Sequence, residues 1–219
     1  MSIESAASSP FHPFYQPGSD EPLSCLAFRC RGNSPRVPCI RGRIAGSRVR
    51  IIGGKFAGRD LTSPRDFRVR PTGEHVRGAM LDLLAPDLAN ARVLDLFAGT
   101  GALGLESISR GAHSADFVEF RPSSLHALRA NIALFRLRER TRVFKRDAIP
   151  FAEALKADSY DIAFADPPYG SRMLDRVIES WRSHRFSRVL AVEHARDHEL
   201  PAGAHRRIFD ETAVTIYRI

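Results

Sequence analysis

Short apolar runs alternate with longer amphipathic segments through most of this chain. The runs suit buried strands, and the segments between them place their apolar residues at helical spacing. Alternation of this kind predicts an α/β fold in which a mostly parallel sheet carries helices on both faces. The predicted strands are 93–97, 115–120, 141–145, 160–165, 188–193, 205–209 and 214–219, and the predicted helices are 102–110, 122–137, 149–156 and 171–181.

Two smaller elements precede the first of these strands. Residues 49–52 and 59–62 predict a β-hairpin around the glycines at 53, 54 and 58. Thr72 can cap a following helix, because apolar residues at positions 76, 79, 80, 83 and 84 follow it at helical spacing.

Residues 1–48 have a different composition. They hold six prolines, eight serines and all three cysteines of the chain, and they show no sustained periodicity. Such a segment favours disorder. An alternative hypothesis is that the true start is Val49 and that the upstream residues are a misassigned start.

Charge is distributed unevenly. The net charge is +8 with a pI near 10.1, which favours a polyanionic partner. Residues 49–77 hold seven basic and three acidic side chains, whereas residues 78–219 hold 20 and 19. We therefore expect a phosphate-contacting surface in the first of these segments. No apolar run approaches the ~18 residues of a membrane span, so we expect no membrane partner.

A glycine turn follows the first predicted strand of the sheet. Gly99, Gly101 and Gly104 match G-x-G-x-x-G, which by itself also suits a dinucleotide. Asp95 lies inside the end of this strand, four residues before the first glycine, where it would repel a pyrophosphate but could bind the ammonium group of S-adenosylmethionine. A bound NAD stays open at this point.

Two further carboxylates lie at the ends of the next two strands: Glu119 ends the second strand, and Asp147 follows the third. Glu119 lies where a carboxylate can accept hydrogen bonds from ribose hydroxyls, in either cofactor. Asp147 lies where an adenine amine could bind, or it caps the next helix, and both interpretations are kept.

Asp166-Pro167-Pro168-Tyr169 follows another buried strand and carries the most chemistry. The carboxylate and the Pro167 carbonyl can each accept one N–H of an exocyclic base amine, which directs the nitrogen lone pair at a methyl donor. The prolines stiffen the loop, and the tyrosine ring can stack on the base. Methylation at pyrimidine C5 is excluded, because it needs a cysteine nucleophile and no cysteine follows Val49.

From Val49 onward the chain resembles the bacterial 16S ribosomal RNA guanine-N2 methyltransferases. The matching stretches are residues 50–55 with 58–59, 70–72, 76–77, 94–106, 118–119 and 166–169. The resemblance implies a Rossmann-like methyltransferase fold with a mostly parallel seven-stranded sheet, S-adenosylmethionine as cofactor, and a guanine of small-subunit RNA as substrate. It also implies a cytoplasmic enzyme, which we expect to be a metal-free monomer that acts on 16S RNA or the assembling small subunit.

The resemblance assigns roles to individual residues and regions. The implied cofactor contacts are Asp95, Phe97, Gly99, Thr100, Gly101, Glu119, Asp147 and Asp166, the catalytic loop is Asp166, Pro167, Pro168 and Tyr169, and the implied RNA contacts are Arg50, Lys55, Arg59, Arg70 and Arg77. For Arg70 and Arg77, a role in ordering the loop expected over the active site is the alternative. Residues 49–70 would form the hairpin and RNA-contacting segment, and residues 71–219 the methyltransferase domain.

The chain departs from the family pattern near the expected substrate side. Glu74 and His75 replace an Asp-Arg pair, Gly78 stands where Glu is usual, and Arg121 stands where an acidic residue is common. Three alternatives therefore stay open: an adenine-N6 methyltransferase acting on DNA or RNA, a NAD-binding oxidoreductase, and a non-catalytic ribosome-assembly factor with the same fold.

Overall fold

The computed structural model describes residues 49–64 and 73–219. The strands of this part are β1 (Val49–Arg50), β2 (Asp60–Leu61), β3 (Arg92–Asp95), β4 (Ser114–Val118), β5 (Thr141–Phe144), β6 (Tyr160–Ala165), β7 (Ser187–Ala195), β8 (His205–Phe209) and β9 (Thr212–Arg218). Its α-helices are α1 (Glu74–Leu83), α2 (Ala85–Leu88), α3 (Ala102–Ser109), α4 (Pro122–Leu134), α5 (Ala148–Glu153) and α6 (Met173–His184).

One seven-stranded sheet organises these elements, in the order β5-β4-β3-β6-β7-β9-β8. The first five strands run parallel, and β9 pairs antiparallel with both β7 and β8. The order reverses between β3 and β6, and in open α/β sheets ligands bind outside the carboxyl ends of the strands at such a point. The predicted fold class is confirmed.

Helices cover both faces of the sheet, and each face has its own hydrophobic layer. Side chains from the hairpin, α1, α3 and α4 pack on one face, together with Val93 of β3. Side chains from α5 and α6 pack on the other face, together with Leu94 of the same strand. A parallel strand buried on both faces reads as a continuous apolar run, which is why the pattern of the sequence located these strands.

The hairpin of β1 and β2 is short and is held on the C-terminal end of α3. The Ser109 hydroxyl donates to the Gly53 carbonyl at 2.6 Å and accepts from the Phe56 amide at 2.8 Å. Gly54 has a φ of 77°, and a Cβ there would lie 2.0 Å from the Ser109 carbonyl oxygen. Only glycine therefore allows the hairpin to approach the helix this closely.

The predicted elements recur with small shifts at their ends. The one-turn helix α2 was not predicted, because four residues with a proline carry no periodicity. The N-cap position of α1 is Gly73, without a side-chain cap. Three of the predictions concern residues outside the described part of the chain: those for Arg70, for Thr72 and for residues 1–48. In the described part, no helix is both long and apolar enough to cross a bilayer.

Candidate active site

Carboxylates gather at the edge of the sheet where the strand order reverses. Asp95 ends β3, Glu119 directly follows β4, and Asp166 directly follows β6. The charges of Glu119 and Asp166 both act on the buried Asp95 carboxyl group, so the three groups are neighbours. The topology thus brings together the cofactor-side and substrate-side carboxylates that the sequence predicted.

The glycine turn after β3 is shaped by its packing. Gly101 has a φ of 81°, and a Cβ there would lie 2.4 Å from a methyl group of Leu128 on α4. A Cβ on Gly104 would lie 2.4 Å from the ring of Phe117 on β4. Because side chains are excluded at both positions, the backbone of the turn and the start of α3 lie close to the sheet, at the edge where the carboxylates meet.

Glu119 ties this turn to the end of β4. Its Oε2 accepts a hydrogen bond from the Gly99 amide at 3.0 Å. Its Oε1 accepts from the amides of Phe120 and Arg121, both at 2.8 Å. Because Oε2 accepts one bond and each carboxylate oxygen can accept two, the group keeps the capacity to bind one hydroxyl donor.

Asp95 is 2% exposed. Its pKa is raised to about 7, mainly by burial and also by the negative charges of Asp166 and Glu119, while backbone hydrogen bonds from Gly104 and Phe97 act in the opposite direction. A positively charged ligand in this place would stabilise the ionised form. The arrangement therefore fits a cationic cofactor better than a pyrophosphate.

Asp147 caps α5, with its Oδ1 accepting from the Ile149 amide at 3.0 Å. This is the second of the two interpretations made from the sequence, and contact with an adenine amine stays a prediction.

An exposed aromatic residue, Phe120, lies beside Glu119 at the end of β4. The guanidinium of Arg121 lies 5.8 Å from the centre of its ring.

The predicted catalytic loop begins where β6 ends. Asp166 is half-buried, Pro167 is buried, and Pro168 and Tyr169 are exposed. The Ser171 hydroxyl donates to the Pro168 carbonyl at 2.8 Å. The loop thus starts half-buried at the end of the sheet strand and becomes exposed at its far end, where this bond closes a local turn.

Tyr169 is held by its hydroxyl group. The hydroxyl donates to Oε1 of Glu193 at 3.2 Å and lies 2.8 Å from Oγ1 of Thr212. Burial raises the pKa of Tyr169 to about 12, with the charges of Glu193 and Asp166 acting in the same direction, so the hydroxyl stays protonated at neutral pH. The residue is nevertheless 45% exposed. A fixed, partly exposed ring is suited to stacking on a base.

Three of the predicted RNA contacts lie on the hairpin and are exposed. Arg50 pairs with Glu74 at 3.1 Å while 59% of its side chain stays accessible. The Lys55 ammonium lies 5.8 Å from the centre of the Phe56 ring. Arg59 is also exposed. All three could reach a phosphate.

The prediction of a direct RNA contact by Arg77 is wrong, because its side chain is fully buried. Its Nε donates to Oε2 of Glu106 at 2.9 Å, and its Nη2 donates to the Arg50 carbonyl at 2.5 Å. Oε1 of Glu106 in turn accepts from the Gly53 amide at 3.2 Å. Arg77 therefore joins α1 to α3 and the hairpin.

The residues that depart from the family pattern have structural partners. Glu74 accepts from both the backbone and the side chain of Arg50, at 3.2 and 3.1 Å. The His75 ring packs edge-on against Phe209, with 5.8 Å between ring centres. A Cβ on Gly78 would make an ordinary contact, at 3.5 Å, with Ile52. Packing therefore does not require glycine at position 78.

Two residues of the site were missed from the sequence. Glu193, a carboxylate that follows the apolar residues 189–192 of β7, lies level with Asp166, since Val192 pairs with Ala165. The rule that selected the other strand-end carboxylates would have found it. Asn131 is buried and donates to the Thr100 carbonyl at 2.9 Å, and a lone asparagine in a helix gives no comparable signal.

Comparisons with known proteins support the family resemblance that the sequence predicted. The family model described as Conserved hypothetical protein 95 matches residues 49–217. Ribosomal RNA small subunit methyltransferase D of Escherichia coli K12 is 38% identical over 130 residues, which is 59% of this chain and 65% of the relative. The protein of that name from Haemophilus influenzae is 27% identical over 182 residues, which covers 80% of this chain and 94% of the relative.

A solved structure of a hypothetical protein from Thermus thermophilus is 31% identical to this chain. The two superpose with a TM-score of 0.66, over 78% of this chain and 99% of the other. The alignment with the Escherichia coli relative, by contrast, spans slightly less than two thirds of that protein. The resemblance predicted from the sequence is confirmed, and the chain belongs to the family described as Conserved hypothetical protein 95.

Proposed function

We propose that this protein transfers a methyl group from S-adenosylmethionine to the exocyclic N2 amine of a guanine in 16S ribosomal RNA. The observation that carries this proposal is the convergence of two groups of residues at one sheet edge. Asp95 and Glu119, with the glycine turn, form one side, and the loop from Asp166 to Tyr169 forms the other.

Asp95, Glu119 and the glycine turn would hold the cofactor. S-adenosylmethionine supplies a methyl group bonded to a cationic sulfur, and this sulfur becomes a neutral thioether when the methyl group is transferred. The cofactor also carries an ammonium group. Asp95 provides a buried negative charge for the cationic part, and Glu119 provides an acceptor for a ribose hydroxyl. Phe97, Gly99, Thr100, Gly101 and Asp147 complete the set that we propose.

Asp166 and the Pro167 carbonyl would orient the acceptor amine. The lone pair of this nitrogen is delocalised into the purine ring, which makes it a poor nucleophile. A hydrogen bond from each N–H to these oxygens favours a pyramidal nitrogen whose lone pair points out of the ring plane. Positioning and electrostatic stabilisation then supply most of the rate enhancement, without a covalent intermediate on the protein.

Tyr169 would stack on the base while its hydroxyl remains bound to Glu193 and Thr212. Base–aromatic stacking contributes ~1–3 kcal/mol per base. Because the ring is fixed before the substrate arrives, little side-chain entropy is lost on binding.

The relatives' names and the charge of the hairpin support ribosomal RNA as the substrate. Two relatives carry the name of a small-subunit ribosomal RNA methyltransferase. Arg50, Lys55 and Arg59 present basic groups on the hairpin. We further propose that the enzyme acts in the cytoplasm as a monomer, on 16S RNA or on the assembling small subunit.

The test uses the full chain, labelled S-adenosylmethionine and small-subunit RNA that has not been methylated by this enzyme. Both naked RNA and assembled small subunits are offered, and the product nucleosides are identified by mass spectrometry. The proposal predicts N2-methylguanosine as the product. N6-methyladenosine would replace the proposed substrate by an adenine, and the absence of methyl transfer to either RNA form would overturn the proposal.

A further inference from the structure

A second strongly basic surface lies outside the hairpin. Residues 126–147, which run from α4 through β5, hold seven basic and two acidic residues. All seven basic side chains are exposed. The near-neutral average of residues 78–219 therefore conceals a local excess of positive charge. The seven residues are Arg129, Arg136, Arg138, Arg140, Arg142, Lys145 and Arg146.

The middle of this surface is a groove. It lies at the edge of the sheet, because β5 is the outermost parallel strand. The groove has a volume of about 310 Å³ and is lined by Arg129, Ile132, Arg138, Thr141 and Val143. Its two arginines come from different elements, α4 and the short 3₁₀ helix before β5. Two positive charges therefore border one open concave surface.

Two of the seven basic residues already have protein partners and are less suited to a ligand. Arg142 pairs with the buried carboxylate of Asp116, and Arg140 donates to the carbonyls of Ala112 and His113. They hold the base of the surface in place. Arg129 and Arg138 line the groove itself.

The surface is continuous with the hairpin. The Arg59 guanidinium lies 4.6 Å from the centre of the Phe135 ring, and its Nη2 donates to the Leu134 carbonyl at 3.3 Å. Leu134 ends α4, and Phe135 follows it directly before Arg136, two residues upstream of Arg138. Arg59 thus joins the basic residues of the hairpin to those at the sheet edge.

We propose that Arg129 and Arg138 form a second RNA-contacting surface, which binds the phosphate backbone of the substrate RNA at a distance from the modified base. The inference rests on the proposed function. Polyanion binding follows from the local charge and from the continuity with the hairpin. The competing explanation is that arginines protect an exposed edge strand from pairing with another chain.

The test compares binding of a 16S RNA transcript to the wild-type chain and to the variant Arg129→Glu/Arg138→Glu. The dissociation constant is measured between about 50 and 200 mM KCl. For the variant, we expect the slope of the logarithm of the association constant against the logarithm of the salt concentration to fall by about 1.4 in magnitude, as for two lost contacts to single-stranded RNA. Its affinity near 150 mM salt should fall about tenfold.

The matched control reverses two exposed charges elsewhere on the protein, Lys156→Glu/Arg182→Glu, and should leave both the slope and the affinity unchanged. S-adenosylmethionine affinity of every variant reports the integrity of the fold. Unchanged RNA binding by the Arg129→Glu/Arg138→Glu variant would overturn the inference. A wild-type chain that binds RNA but transfers no methyl group would contradict the proposed function instead.

Discussion

The Tyr169 hydroxyl donates a hydrogen bond to the carboxylate of Glu193, at 3.2 Å. The bond joins the exposed end of the candidate catalytic loop to β7, the strand next to the one that carries the loop. The loop is therefore fixed at both ends, by its strand at Asp166 and by this tyrosine at its tip.

Removing the Tyr169 hydroxyl should impair positioning while leaving the ring. We expect Tyr169→Phe to lower kcat/KM about tenfold, the low end for a hydrogen bond to a charged group, and Tyr169→Ala to lower it roughly a hundredfold or more, because stacking is lost as well. Steady-state kinetics on small-subunit RNA measure both effects. Tyr217→Phe, which removes a hydroxyl bonded to the Pro201 carbonyl, is the control. Equal activity of Tyr169→Ala and wild type would exclude a role for the ring.

The buried pair of Arg77 and Glu106 should contribute to folding. Arg77→Met leaves the Glu106 carboxylate without one of its partners in the core, so the free energy of unfolding should fall by about 3–5 kcal/mol. The exposed pair of Arg92 and Asp161 is the control, and Arg92→Met should cost about 0–1 kcal/mol. Urea denaturation measures both. A fully stable Arg77→Met variant would contradict the structural role.

Asn131 should couple the chain leaving the hairpin to the glycine turn. Its Oδ1 accepts from the Thr62 amide at 2.8 Å, and its Nδ2 donates to the carbonyls of Thr62 and Thr100 at 3.0 and 2.9 Å. Asn131→Ala leaves these backbone groups without a partner, so we expect a loss of about 2–4 kcal/mol of stability and weaker cofactor binding.

Ser123→Ala, an exposed position on the same helix, is the control for Asn131→Ala and should change stability by less than about 0.5 kcal/mol. Calorimetry with S-adenosylmethionine, together with urea denaturation, separates the two effects of Asn131→Ala. If stability fell while the affinity of the remaining folded protein stayed at the wild-type level, the proposed coupling to the cofactor turn would be wrong.

The raised pKa of Asp95 predicts a pH dependence of cofactor binding. With a pKa of about 7, the carboxyl group of Asp95 keeps its proton in the folded protein at pH values well above those at which an ordinary aspartate loses it. A cationic ligand favours the ionised form, so affinity for S-adenosylmethionine should rise about tenfold between pH 6 and pH 8. At pH 6, binding of the cofactor should release the proton of Asp95. Calorimetry in buffers of different ionisation enthalpy measures this release.

The same pKa gives the opposite sign for the stability of the free protein. The folded state holds a proton that the unfolded state has lost, so Asp95 should reduce stability progressively as pH rises from about 4 to 7. Asp95→Asn should remove both pH dependences. If the variant kept the wild-type pH profile of cofactor affinity, another group would be responsible.

The strands and most of the candidate site could be predicted from sequence, because parallel strands buried on both faces read as apolar runs and Asp95, Glu119 and Asp166 lie at the ends of such runs. The order of the strands in the sheet was not predicted. Arg77 was misassigned because it lies among basic residues in sequence. Its helical spacing to Leu81 and Leu84, both buried, was the available sign that it faces the core. The basic residues from Arg129 to Arg146 were missed because a net charge was averaged over 142 positions, from 78 to 219.

Contacts between distant segments could not be read from the pattern. The bond of Tyr169 to Glu193 and the bridge made by Asn131 depend on the final packing of loops and on which helix lies over the glycine turn. The cap made by Asp147 was one of two interpretations, and only the geometry showed that its Oδ1 accepts from the Ile149 amide.

The central claim is that the Asp166 carboxylate orients a guanine amine for methyl transfer, and single-turnover methylation by Asp166→Asn tests it most directly. We expect this variant to bind S-adenosylmethionine and small-subunit RNA with affinities close to wild type, while the rate of N2-methylguanosine formation falls at least about a hundredfold. A variant that methylates the RNA at the wild-type rate would contradict this role of Asp166.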